Sequence, residues 1–129
     1  MNKHIRNGVG AVRPYVYGSL DLLDFVKDVF GATELERNTI ANGFHVQAQI
    51  GDSVLVLSAM EPPYEEATRA SIYVYVDDVD ATFERAIAAG AIPLGEPTDR
   101  PFQERNVGVR DTFGNVWHLA TYTGGVASQ

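Results

Sequence analysis

The chain of 129 residues contains no cysteine. That excludes disulfides, thiolate metal sites and a cysteine nucleophile, and it fits a reducing cytoplasm. It has ten basic residues against seventeen acidic ones, a formal charge of -7. A field of that sign repels phosphate, so nucleic acid and anionic membrane surfaces are disfavoured as partners, and a cationic or neutral small molecule is favoured. No apolar run approaches the roughly 20 residues of a membrane helix. Lys3 and Arg6 near the N-terminus are not followed by a long apolar stretch, so no signal peptide is read. Ordinary proportions of hydrophobic (45%) and charged (21%) residues predict a globular domain.

The chain carries an internal repeat. Tyr15-Val16-Tyr17 recurs as Tyr73-Val74-Tyr75, and Phe25 recurs as Phe83 in the same register. Gly31-Ala32 recurs as Gly90-Ala91 one residue later, and Asp21 falls opposite Asp80. The segment Gly51 to Leu57 resembles Gly114 to Leu119, which sets Val56 against His118. The pattern predicts two similar modules, 9–58 and 70–122, a linker 59–69 and a tail 123–129, all within one domain.

Periodicity assigns the elements. Residues 11–17 alternate, with Val12, Pro14 and Val16 opposed to Ala11, Arg13, Tyr15 and Tyr17, which predicts a strand. Leu22, Leu23, Phe25, Val26, Val29 and Phe30 share a helical face, with Ser19 as the expected N-cap and Gly31 just past the C-terminus. Strands are expected over 44–50 and 53–58. In the second half a strand begins at Ser71 and a helix follows from about 81 to 89, capped by Asp78 or Asp80. Strands are then expected over 106–110 and 116–122, separated by a turn at 112–115. The fold class is α+β: two βαβββ modules forming a curved mixed sheet around a cavity.

One face of these strands gathers Arg13, Tyr15, Tyr17, His45, Gln47, Gln49, Ser71, Tyr73, Tyr75, His118 and Tyr122. Tyrosine walls with polar groups between them suit a planar or cationic ligand through stacking and cation–π contact. The other reading of the same tyrosines is a subunit interface, since tyrosine and arginine are enriched there. His118 with a tyrosine offers general acid–base chemistry, but no carboxylate is expected on this face. Gly8-Val9-Gly10 lacks the strand and helix of a nucleotide loop. Pro101 to Arg105 reads as a loop. Asp77, Asp78 and Asp80 read as a helix cap and lack the spacing of a calcium loop.

These segments resemble the vicinal oxygen chelate superfamily, which includes glyoxalase I, bleomycin-resistance proteins, fosfomycin-resistance enzymes and extradiol dioxygenases. The resemblance rests on Phe30-Gly31-Ala32, on His45 to Ala48 followed by Ile50 to Ser53, on Tyr75 to Asp80, on Ala89-Gly90-Ala91 and on Val109 to Trp117. It covers roughly residues 9–122 and is nearest to the branch with the PhnB-type proteins. The Asp111-Thr112-Phe113-Gly114 turn is its most specific piece.

The resemblance implies a homodimer and, in metal-dependent members, four ligands on the concave sheet. Those positions fall on Ala11, Val56, Ser71 and His118, and only His118 is a metal ligand of the family's kind. A shift of two in the first strand offers Arg13, which is no better. The expectation is therefore a protein with no metal and no cofactor that binds a small molecule, including sequestration of an antibiotic or other toxic compound. The alternative is a lyase, isomerase or oxidoreductase of the glyoxalase or dioxygenase kind with an atypical metal site around His45 and His118.

Overall fold

The computed structural model describes residues 3–64 and 67–124. The chain divides into two compact units, Met1–Thr68 and Arg69–Gln129. Residues 65 and 66 of the expected linker and 125–129 of the expected tail lie outside the described residues.

The first unit runs β1 (Tyr15–Ser19), α1 (Leu22–Phe30), β2 (Thr33–Ile40), β3 (Gly43–Ile50) and β4 (Ser53–Met60). Its sheet has the order β1-β4-β3-β2, with β1 parallel to β4 and the other pairs antiparallel. A parallel neighbour needs a crossover, and α1 supplies part of it. Val16, Val46, Ala48 and Leu57 lie on one side of the sheet and are buried. The apolar stripe of α1, from Leu22 to Val29, is buried as well, and α1 packs on β1, β3 and β4. The helix ends where the periodicity expects. Gly31 adopts φ 67°, which costs glycine little, and its N–H donates to the Lys27 carbonyl at 2.9 Å.

The second unit repeats the plan with β5 (Ser71–Tyr75), α2 (Val79–Ala88), β6 (Ile92–Pro93), β7 (Thr98–Arg100), β8 (Glu104–Arg110) and β9 (Val116–Tyr122). Here β5 is parallel to β9, and the short β6 and β7 both pair with β8. Asp78 caps α2, its carboxylate accepting from the Ala81 N–H at 3.1 Å. Trp117, Leu119, Val109 and Ala86 are fully buried. The first unit is βαβββ as the sequence reading expects, the second differs in that two short strands, β6 and β7, stand where one is expected beside β8, and both sheets are mixed.

Three local readings change. The strand expected over 11–17 begins only at Tyr15. Ahead of it, Gly8 and Gly10 take positive φ and the Arg13 guanidinium donates to the carbonyls of Arg6, Val9 and Gly10. Those bonds wrap 6–13 around one side chain, so Val12 is 91% exposed and its alternation is coincidental. Secondly, Ser19 does not cap α1: it ends β1, its hydroxyl bonds Asp21, and Asp21 occupies the N-cap without a side-chain cap bond. Thirdly, Thr123, expected in the loose tail, donates its N–H to the Gln103 carbonyl at 2.9 Å.

Candidate functional site

Each sheet has a side opposite its helix, and strand register decides what stands there. In the first unit Tyr15 pairs with Val56 and Tyr17 with Ser58, while Gln47 pairs with Val56 and His45 with Ser58. The Tyr15 ring lies 5.0 Å from Tyr17 and 5.8 Å from His45. Much of this side is engaged internally. Gln47 is 4% exposed and accepts from Arg13 Nη1 at 2.6 Å, and Gln49 donates to the Gly51 carbonyl at 3.0 Å. Gly10 sits against Val54. Of the residues expected to meet a ligand, Arg13 and Gln47 tie the N-terminal segment to the sheet, and Gln49 bonds the turn between β3 and β4.

The second unit keeps its side open. Ser71, Tyr73 and Tyr75 alternate along β5, with His118 and Tyr122 on β9, and Tyr73 pairs directly with His118. Their rings stack at 5.8 Å with 22° between planes. Ser71 Oγ lies 3.2 Å from His118 Nε2, a hydrogen bond whose direction follows the imidazole tautomer. Tyr73 and Tyr75 are tilted neighbours at 5.5 Å. Tyr73, Tyr75 and Tyr122 are 48%, 61% and 53% exposed, unusual for three large aromatics on one small sheet.

A residue read as loop completes this side. Glu104 opens β8 opposite Tyr122, and its two carboxylate oxygens accept from the Tyr73 and Tyr75 hydroxyls. A carboxylate therefore does stand on the tyrosine face, which corrects the expectation that none would. Extending the alternation of Val109 and Val107 backwards would have put Gly108, Asn106 and Glu104 on the tyrosine side. Asn106 donates to the Tyr73 oxygen at 3.4 Å and accepts from Arg100 Nε at 2.8 Å. The phenol bonds hold the Glu104 carboxyl below the usual carboxylate range. They also favour the protonated phenols, raising Tyr73 and pushing Tyr75 up to about 12. Two rings are thus fixed by one anion.

The same registers test the metal-ligand positions. Tyr15 faces Val56 as Tyr73 faces His118, so counting back two residues sets Arg13, not Ala11, against Ser71, although both Arg13 and Ala11 lie ahead of β1. The four positions read Arg13, Val56, Ser71 and His118: one guanidinium, one alkyl, one hydroxyl and one imidazole. In the first unit Arg13 and Val56 supply no metal donor, and in the second Ser71 and His118 supply one hydroxyl and one imidazole, fewer donors than a zinc site or an oxygen-ligated divalent ion needs. His118, the one strong donor, shares its Nε2 with Ser71.

The Asp111 turn has a structural role. Its Oδ1 accepts the N–H groups of Phe113, Gly114 and Asn115 at 2.9–3.0 Å. Its Oδ2 accepts from Asn115 Nδ2 and Trp117 Nε1, both at 2.9 Å. This carboxylate seats the indole and starts β9, which carries His118.

A family model for the Glyoxalase/Bleomycin resistance protein/Dioxygenase superfamily matches residues 21–119. The chain belongs to this superfamily. It is 31% identical over 109 residues to the uncharacterized protein Mb0911c of Mycobacterium bovis, a match covering 75% of this chain and 72% of that protein. The uncharacterized protein Rv0887c of Mycobacterium tuberculosis is equally similar, but the match spans 64% of its length, less than two thirds. Among solved structures, TioX from Micromonospora sp. ML1 superposes with a TM-score of 0.68 at 25% identity, covering 87% of this chain and 95% of that one. The fosfomycin resistance protein FosX from Listeria monocytogenes shares the fold, with a TM-score of 0.67 at 18% identity, covering 91% of this chain and 96% of that one. Membership of the superfamily agrees with the paired βαβββ plan. It does not choose among the superfamily's chemistries.

Proposed function

We propose that the chain binds a small molecule without a metal, on the tyrosine face of the second unit. The observation that carries this reading is the set of exposed rings at Tyr73, Tyr75 and Tyr122, two of them fixed by the Glu104 carboxylate. Rings held in place by a buried partner lose little freedom when a ligand stacks on them, so flat apolar area becomes affinity. His118 and Ser71 add polar atoms beside the rings, and Tyr15, Tyr17 and His45 are a smaller aromatic group in the first unit. The donor set at the metal-ligand positions supports a metal-free role and weighs against a metal-dependent lyase, isomerase or dioxygenase.

We assign to this binding the sequestration of an antibiotic or other toxic compound, in a cytoplasmic homodimer whose formation covers part of the exposed aromatic area. FosX is a fosfomycin resistance protein of the same fold, and at its low identity the likeness carries the fold alone. Metal analysis of dialysed protein together with a thermal-shift screen of drug-like compounds tests the reading. Stabilisation by a compound with no stoichiometric metal is the expected result. A tightly held metal overturns it. Light scattering at tens of micromolar should give a dimeric mass, and a monomeric mass contradicts the homodimer.

A further inference from the structure

We infer that Glu104 and the tyrosines around it form a site for an organic cation, of the alkylammonium or quaternary ammonium class. The inference rests on the reading of this face as the ligand site and names the chemistry of its ligand.

Glu104 is 8% exposed, yet among the described residues no cation is paired with it. The neighbouring arginines bond other groups, although the Arg100 charge reaches Tyr73. Arg100 stands opposite Glu104 on β7, but its guanidinium donates to Asn106. Arg105 follows Glu104 on the other side of the strand and is engaged by Asp80 and Asp99. A largely buried carboxylate that, among the described residues, is hydrogen-bonded by two phenols and paired with no cation leaves a negative potential on the surface above it.

The phenols carry that potential outward. Tyr73 and Tyr75 each spend their single proton on Glu104, so toward solvent their oxygens offer lone pairs and their rings offer electron-rich faces. Tyr122, the strand partner of Glu104, adds a third half-exposed ring. A weakly hydrated organic cation over these rings gains the ring quadrupoles and the carboxylate beneath them together. A neutral ligand gains only the stacking, and an anion is repelled. The formal charge of -7 acts in the same direction.

The test is a nuclear magnetic resonance titration of the intact protein with choline and with 3,3-dimethylbutan-1-ol, its uncharged isostere. Choline should shift the amide signals of β5, β8 and β9 and bind at least about tenfold more tightly than the alcohol. Glu104→Gln keeps the side-chain shape, removes the charge and leaves one acceptor oxygen for the two phenols, so it should weaken choline about tenfold more than it weakens the alcohol. Equal affinity of the unaltered protein for choline and the alcohol overturns the inference without any variant. Indole serves as a neutral aromatic control. If indole shifts these signals and choline does not, the cation site falls and the ligand face stands. If none of the three shifts them, both fall.

Discussion

Tyr73 stands directly opposite His118 across the parallel β5–β9 pair, stacked upon it, as Tyr15 stands opposite Val56 across β1–β4. One register thus serves both units. Opposite this tyrosine the second unit has an imidazole where the first has an alkyl group. That asymmetry supports the proposal that the ligand meets the second unit.

Substitutions at this pair separate stacking from polar orientation. Tyr73→Ala should weaken ligand binding by roughly 1–3 kcal/mol through lost apolar burial and stacking. His118→Ala should cost about one hydrogen bond, on the order of 0.5–1.5 kcal/mol. Calorimetric titration with a compound found by the thermal-shift screen measures both. A larger loss at His118 than at Tyr73 would contradict the aromatic account.

Asp111 is predicted to govern stability. Asp111→Ala removes a carboxylate that accepts from five donors, two of them on the buried Asn115 and Trp117 side chains, while the Gly114 N–H keeps the residue 111 carbonyl at 3.0 Å, and should cost roughly 3–5 kcal/mol in urea denaturation. Asp111→Asn retains one oxygen for the backbone donors and should lose less. A near-neutral Asp111→Ala would show that the turn is not what seats Trp117.

The Glu104 network sets a pH window. Its carboxyl lies below the ordinary range in the folded protein, so its contribution is present above that range and is lost as the pH falls through the lower folded value. Tyr75 is pushed up to about 12, so the contribution of its protonated phenol is full below about 10 and is lost as the pH rises through 12. A tyrosinate absorbance titration should resolve a late-titrating class among the six tyrosines, and Tyr75→Phe should remove its last member. All tyrosines titrating together near 10 would contradict the network.

The repeat was legible because Tyr15-Val16-Tyr17 and Tyr73-Val74-Tyr75 keep their alternation when half-buried, and both helices keep an apolar stripe. The strand Thr33–Ile40 had no such signal. Glu34, Glu36, Arg37 and Asn38 make it a polar edge strand, recognisable only by its pairing with β3. Residues 11–14 alternated by chance, because their conformation is set by side-chain bonds from Arg13 that no period reports. Glu104, a lone glutamate after Pro101 and Phe102, reads as loop unless the alternation of β8 is carried back to it. Its role depends on Tyr73 and Tyr75, about thirty residues earlier in the chain.

The central claim is binding without a metal. The most direct measurement is calorimetric titration of one screened compound into protein before and after exhaustive dialysis against a chelator. The account predicts the same affinity and enthalpy in both, because Arg13, Val56, Ser71 and His118 offer one strong donor among four positions. Binding that disappears on chelation and returns with an added divalent metal would contradict it.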